Sequence, residues 1–393
     1  MPPRPRCAAA IALLLLASWL LAPAPPATTA QTSAPPLEQA LAAVDDYLQR
    51  QVAEQGIVGL AVAVVEGDQP VHARGFGVAG PAGDAVTPQT PFLLASVTKS
   101  FTALAVMQLV AAGQIDLQAP VQRYLPWFRV ADEDASARIT IADLLYHTSG
   151  FSTRTGNAPL VRGGADQTTL ENYVRALRDV SLDRPPGTRV EYSNTNYRVL
   201  GLVVQTLSGE PYPLYLQRHI LAPLAMDDSY AIDPSQPARP MALAIDTASG
   251  TPRPVPVRMP AYRVPSGGVV ASAEDMAHYL VAQSNGGRYG AASVLPSPLV
   301  DQMHAIGAPT VPNAGAAMGW FVRTTDGVTT ISHNGAVAGH RTFQALLPDV
   351  DRAFAVLLTL DVTLPPPNVN AIGRDLSALL RGRPATLAPA EPD

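Results

Sequence analysis

Residues 94–110 read Leu94-Ala95-Ser96-Val97-Thr98-Lys99-Ser100-Phe101-Thr102-Ala103-Leu104-Ala105-Val106-Met107-Gln108-Leu109-Val110. From Val97 on, the stretch is rich in good helix formers, lacks Gly and Pro, and is apolar on nearly every side. That pattern predicts a helix buried inside a large domain. A hydroxyl and an amine stand at its start. Three residues make about 300° of helical turn and about 4.5 Å of rise, so Ser96 and Lys99 share one face and can touch.

Lys99 is the only lysine of the chain; the other 26 basic residues are arginine. A guanidinium does not lose its proton in a protein, whereas a desolvated amine can become a neutral base. The single lysine therefore stands where only an amine would serve, at the spacing that a serine nucleophile and its base require. A lysine left over by composition alone would more often sit on a solvated surface.

Outward from this stretch, 393 residues with 47% hydrophobic content can bury a large core, as one domain or as two lobes. The net charge of −5 and the absence of a basic cluster beyond the first residues argue against a nucleic-acid partner. The 39 prolines are scattered and no internal repeat is visible, which excludes a fibrous protein.

Arg4 and Arg6 precede an apolar run from Ala8 to Ala22, followed by small-residue cleavage sites at Ala22-Pro23-Ala24 and Thr28-Thr29-Ala30. This resembles a secretory signal peptide over 1–30, ahead of a functional domain over 31–393, and implies a periplasmic or secreted protein. The run is short for a bilayer span, which needs about 20 apolar residues, so no stable membrane span is expected in the mature chain. Cys7, the only cysteine, would leave with the leader, so disulfides and thiol chemistry are not expected.

A polar lead-in, Gln31 to Pro36, gives way to helical spacing over Leu37 to Gln55. The run Ile57 to Val65, a turn at Glu66-Gly67-Asp68 and Val71 to Val78 read as a β-hairpin. From about 117 to 264 the texture changes to short helical pieces between Pro and Gly clusters. Thr140-Ile141-Ala142-Asp143 and Ser272-Ala273-Glu274-Asp275 are capping-box candidates. Strands return at Met318–Arg323, Val328–Ser332, Thr342–Leu347 and Ala353–Leu360, before a closing helix near Val369–Leu380 and a Pro-rich tail. The order predicts an α/β (α+β) architecture: an antiparallel sheet flanked by helices, plus an inserted, mostly helical lobe over about 117–264. A cleft between the two would open at the start of the buried helix.

Ser96-Val97-Thr98-Lys99 matches the serine-x-x-lysine motif of the penicillin-recognising serine hydrolases, which include penicillin-binding proteins and serine β-lactamases. Tyr192-Ser193-Asn194 is similar to the tyrosine-x-asparagine motif of the class C β-lactamase and D-alanyl-D-alanine peptidase branch. His333-Asn334-Gly335 resembles that branch's third motif. Leu144 to Gly150, Ser266-Gly267-Gly268 with Ser272 and Asp275-Met276, and Met318-Gly319-Trp320 are similar too, in order, over about 40–362.

The resemblance implies a β-lactamase/transpeptidase-like fold in which Ser96 attacks a carbonyl while Lys99 and Tyr192 share the proton transfers; which of them is the base stays open. It makes the backbone N–H groups of Ser96 and Ala336 the oxyanion donors. Asn194 would offer its amide to substrate, His333 would lie near a substrate carboxylate, and Gly335 would leave room for substrate beside the strand. His147 is read as structural, holding the turn after its helix. The class C β-lactamases have lysine where His333 stands. With an unperturbed pKa near 6.5, histidine attracts a β-lactam carboxylate less.

Other chemistries find no support. Gly-x-Ser-x-Gly is absent, the seven histidines form no HExxH pair, and no phosphate loop or dinucleotide fingerprint appears. His333 and His340 read as hairpin neighbours. The expectation is an exported serine hydrolase that forms an acyl-enzyme on a small peptide, ester or β-lactam, or on cell-wall peptide, with no metal and no cofactor. D-amino-acid peptidase ranks first, then carboxylesterase, then β-lactamase. The rival is a penicillin-binding-like module that acylates without turnover.

Overall fold

The β-branched run is strand β1, Ile57–Glu66, and both of its faces are covered. Leu60, Val62 and Val64 share one core with Val44 and Leu48 of helix α1, Leu37–Glu54, and with Ile372 and Leu376 of the closing helix, Val369–Leu379. Ala61, Ala63 and Val65 turn the other way, into a core with Phe101 and Leu104 of α2, Thr98–Ala111. Side chains alternate along a strand, so one buried on both sides reads as an unbroken apolar run.

The computed structural model describes residues 36–164 and 167–385, all within one compact unit. The leader expected over 1–30, Cys7, most of the polar lead-in and the tail beyond Ala385 lie outside the described residues.

Strand β2, Gln69–Gly77, completes the predicted hairpin with β1. The returning strands are β3, Ala308–Val311; β4, Ala314–Ala316; β5, Phe321–Thr325; β6, Val328–Val337; β7, His340–Leu347; and β8, Arg352–Leu360. They join the hairpin in one antiparallel sheet of order β3-β4-β5-β6-β7-β8-β1-β2. First and last segments thus meet at β1 and β8, as the sheet-helices-sheet order requires.

Three expectations shift. Strand β5 starts at Phe321, and Gly319 before it approaches α2 instead. Strand β6 runs five residues past Ser332 and carries the whole third motif. Ser272 caps its helix, Ala273–Ser284, by accepting from Asp275 N, but Asp275 turns away to accept from Asp228 N at 2.9 Å and Ser229 Oγ at 2.6 Å, so the box is only half made. The Thr140–Asp143 box forms in full.

Between 117 and 264 lie short helices, among them Ile141–Leu145, Leu170–Ala176 and α3, Asn194–Ser208. Helix α3 buries Val199, Leu200 and Val203 in the same core as Phe101 and Leu104 of α2. Two helices in one core bring the second motif to the first.

Candidate active site

Ser96 sits in a single 3-10 turn, Ala95–Val97, which leads into α2 at Thr98. The residue before it is strained. Ala95 has φ 47°, in the left-handed region, which costs a residue with a Cβ roughly 1–2 kcal/mol. From Phe92 to Met107 every residue is buried except Ser96, so the turn presents one hydroxyl and little else.

Lys99 is fully buried, and its Nζ lies 3.2 Å from Ser96 Oγ. The amine donates to Asn194 Oδ1 and to the Ser266 carbonyl, each at 2.8 Å. Burial first, and then the Arg198 guanidinium, hold its pKa well below the usual lysine range. The expected contact of hydroxyl and amine is present.

Asn194, expected to face substrate, has its carbonyl oxygen on Lys99 and donates from Nδ2 to Asn157 Oδ1 at 3.0 Å. As the first residue of α3, it points its side chain at the Lys99 amine.

Tyr192 is half-buried at the foot of α3, with its ring centroid 4.8 Å from Lys99 Nζ. The phenol bonds Ser96, and desolvation pushes its pKa well above the ordinary tyrosine value against the opposing pull of that bond and of Arg198. His147 holds this loop. At φ 60° it ends the helix Ile141–Leu145, its Nδ1 accepts from Ser193 N at 3.2 Å and Asn196 Nδ2 at 3.0 Å, and its ring packs 4.7 Å from that of Tyr192. Two donors on Nδ1 place the ring proton on Nε2. The structural reading of His147 stands, and its reach extends to the phenol.

The third motif lies on the part of β6 that β5 no longer pairs: their last partners are Phe321 and Ser332, while β7 continues alongside to Val337. Ala336 is exposed there. His333 is 3% exposed and donates from Nδ1 to the Asn334 carbonyl at 2.6 Å, with Nε2 left unpartnered. Burial, with Lys99 as a second cause, lowers its pKa to about 3. At neutral pH it is an uncharged acceptor and brings no positive charge to a carboxylate. His333 and His340 do lie on the two strands of one hairpin.

Gly335 corrects another expectation. A Cβ there would lie 2.4 Å from the Leu94 carbonyl and 2.3 Å from Thr342 Oγ1, which itself donates to Leu94 O at 2.7 Å. The missing side chain admits the nucleophile turn rather than substrate. Gly335→Ala should therefore lower unfolding free energy by about 1–3 kcal/mol and turnover by on the order of 10²-fold. Denaturant melts and ester kinetics check this, and a variant of normal stability and rate would contradict it. Gly319 plays a similar part: at φ +79°, its Cβ would meet Ser100 Cα at 2.6 Å and Lys99 O at 2.7 Å, which accounts for the Met318-Gly319-Trp320 segment.

Two groups that act on Lys99 escaped the sequence reading. The Ser266 carbonyl is a backbone atom, and its signal was only the Ser266-Gly267-Gly268 segment of the resemblance. Arg198 is one of many arginines, marked only by its place four residues after Asn194 on α3.

Residues 44–379 match the family model described as Beta-lactamase. The chain is 33% identical over 319 residues to penicillin-binding protein 4 of Amycolatopsis lactamdurans, covering 78% of this chain and 81% of that one. It spans 63% of the length of a second curated relative, Protein flp of Staphylococcus aureus. Among solved structures it resembles the octameric penicillin-binding protein homologue from Pyrococcus abyssi, with 26% identity, TM-score 0.74, and 88% and 78% of the two chains covered. It also resembles a D-stereospecific amidohydrolase from Streptomyces sp., with 25% identity, TM-score 0.64, and 81% and 94% covered. A family match over most of the chain and the antiparallel sheet with its helices agree: the chain belongs to the Beta-lactamase family of serine hydrolases, with the penicillin-binding-like fold.

Proposed function

We propose that Ser96 attacks an amide or ester carbonyl, that Lys99 takes the serine proton, and that water then releases the acyl group. The observation that carries this reading is the hydrogen-bond count at Lys99. An uncharged amine has two hydrogens and one lone pair. Asn194 Oδ1 and the Ser266 carbonyl accept two hydrogens; with burial and Arg198 disfavouring a third, the lone pair faces the Ser96 hydroxyl at 3.2 Å.

Tyr192, with its pKa raised, keeps its proton at neutral pH and is the donor to the leaving group. The Ser96 Oγ–carbonyl bond forms as the serine proton passes to Lys99 Nζ, and the bond to the leaving amine or alcohol breaks as that group is protonated. The proton on Lys99 Nζ then returns to the Tyr192 oxygen, which resets both groups, and water attacks the acyl carbonyl as Lys99 takes its proton and the departing Ser96 Oγ is reprotonated. Backbone N–H groups of Ser96 and Ala336 are the oxyanion donors, and loss of one such donor typically costs about 3 kcal/mol.

The substrate class favoured is D-amino-acid peptides, amides or esters, supported by the names of the penicillin-binding relative and of the D-stereospecific neighbour. The uncharged His333 weighs against efficient β-lactam hydrolysis. Carboxylesterase is the second reading, favoured by the same lack of a cation. His333→Lys should raise kcat/KM for an acyl-D-alanyl-D-alanine relative to its C-terminal carboxamide by about tenfold, the scale of one charge-assisted hydrogen bond. An unchanged ratio would remove His333 from the carboxylate position. Export through the leader belongs to the proposal, and fractionation of cells making the full chain tests it.

The test of the whole reading is to incubate purified protein with D-amino-acid amides, D-alanyl peptides, a nitrophenyl ester and a fluorescent penicillin, and to follow intact mass. Turnover of a D-configured amide or an ester, through a transient adduct on the Ser96 peptide, is expected. A long-lived penicillin adduct with no turnover of anything else would make the protein a binding module instead.

A further inference from the structure

Arg198 is 2% exposed, and its guanidinium lies 4.7 Å from the Tyr173 ring centroid and 5.1 Å from that of Tyr262. Its Nε and Nη1 meet no hydrogen-bond partner, and the groups that act on it are these two tyrosines, Arg263 and the surrounding apolar packing. A buried cation without a carboxylate is costly, and an apolar side chain of similar volume would serve packing better. Something other than stability is served by a charge at this place.

We propose that Arg198 is a positioning residue of the reaction, its fixed charge keeping the Lys99 amine unprotonated so that the lone pair stays available to Ser96. The inference rests on the reading of Lys99 as base. Helix α3 carries both parts of the device. Asn194 accepts one amine hydrogen, and Arg198, one turn further along, supplies the charge.

The titratable groups around Lys99 are few. Tyr192 and Tyr197 present their rings at 4.8 and 5.7 Å. Lys99 in turn acts electrostatically on His147 after its helix and on His333 of β6, and burial keeps both neutral. None is a carboxylate, so only the two ring faces favour an ammonium ion, against burial and the Arg198 charge. A guanidinium keeps its proton throughout the working pH range, which makes Arg198 a fixed charge acting on Lys99. Its repulsion adds to burial in disfavouring protonated Lys99. Tyr173 and Tyr262 wall it from water, where its field would be screened.

Arg198→Met and Arg198→Gln test this, two variants guarding against a failure of either to fold. The readouts are the pH dependence of kcat/KM on a nitrophenyl ester and the NMR titration of the protein labelled with 13C and 15N in its single lysine. The expected result is an acid-side limb, and a Lys99 titration, moved upward by about one pH unit. Activity is then lost mainly on the acid side, while the melting temperature of Arg198→Met is unchanged or raised. Equal loss at every pH, with limb and lysine signal unmoved, would reduce Arg198 to a packing role and overturn the inference alone. A wild-type lysine signal that is already protonated at neutral pH would overturn the inference together with the base assignment beneath it.

Discussion

Lys99→Arg should lower the rate of acyl-enzyme formation by on the order of 10³-fold or more, although it leaves the net charge of the chain at −5. The change keeps a cation, a long side chain and donors for Asn194 Oδ1 and Ser266 O. What it removes is the lone pair, because a guanidinium does not deprotonate. It also commits a fully buried position to a permanent charge, so the fold must be checked by circular dichroism beside the kinetics. A stopped-flow burst with a nitrophenyl ester reads acylation directly. Retention of activity within about tenfold would mean that Lys99 acts as a charge rather than a base, since uniform electrostatic help survives the exchange and proton abstraction does not.

Ser96→Ala should be the most damaging substitution in the chain for turnover, with a loss on the order of 10⁶-fold, the scale seen when a covalent nucleophile is removed. No adduct should be detectable by intact mass with either an ester or a penicillin. Stability should hardly move. The side chain is half exposed, the strain sits in the backbone of Ala95 rather than in the serine, and the hydroxyl carries none of the bonds between Thr342 and Leu94 that pin the turn. A normal melting temperature with no residual turnover would separate chemistry from folding. Surviving turnover or label would point to a second nucleophile and end the account of this turn.

Legibility in the sequence followed the kind of interaction. Strand β1, helix α2 and the Thr140–Asp143 box were readable because periodicity, composition and capping are local. Strands β3 and β4 were not, since Ala-Pro-Thr-Val and Ala-Gly-Ala carry little β-branched or aromatic signal and are held by their neighbours in the sheet. At the site, Ser96 and Lys99 were found by side-chain type and spacing and Tyr192 by the resemblance of its motif, and the fold brings them together. The differences concern atoms whose contacts depend on tertiary neighbours. Asn194 turned its oxygen inward because Lys99 lay beneath it, and Gly335 made room for Leu94 because β6 crosses the nucleophile turn. His333 lost its charge to burial, which a one-dimensional reading has no means to weigh. The Ser266 carbonyl is invisible for the same reason, having no side chain to mark it.

Because the chain has one lysine, protein made with lysine labelled in 13Cε and 15Nζ gives a single side-chain signal. Its titration measures the ionisation of Lys99 without interference. The account predicts the shift of a neutral amine at pH 7, the direction in which full burial and Arg198 push the group. A signal that stays protonated at pH 7 and titrates near the ordinary value of about 10.4 would contradict it.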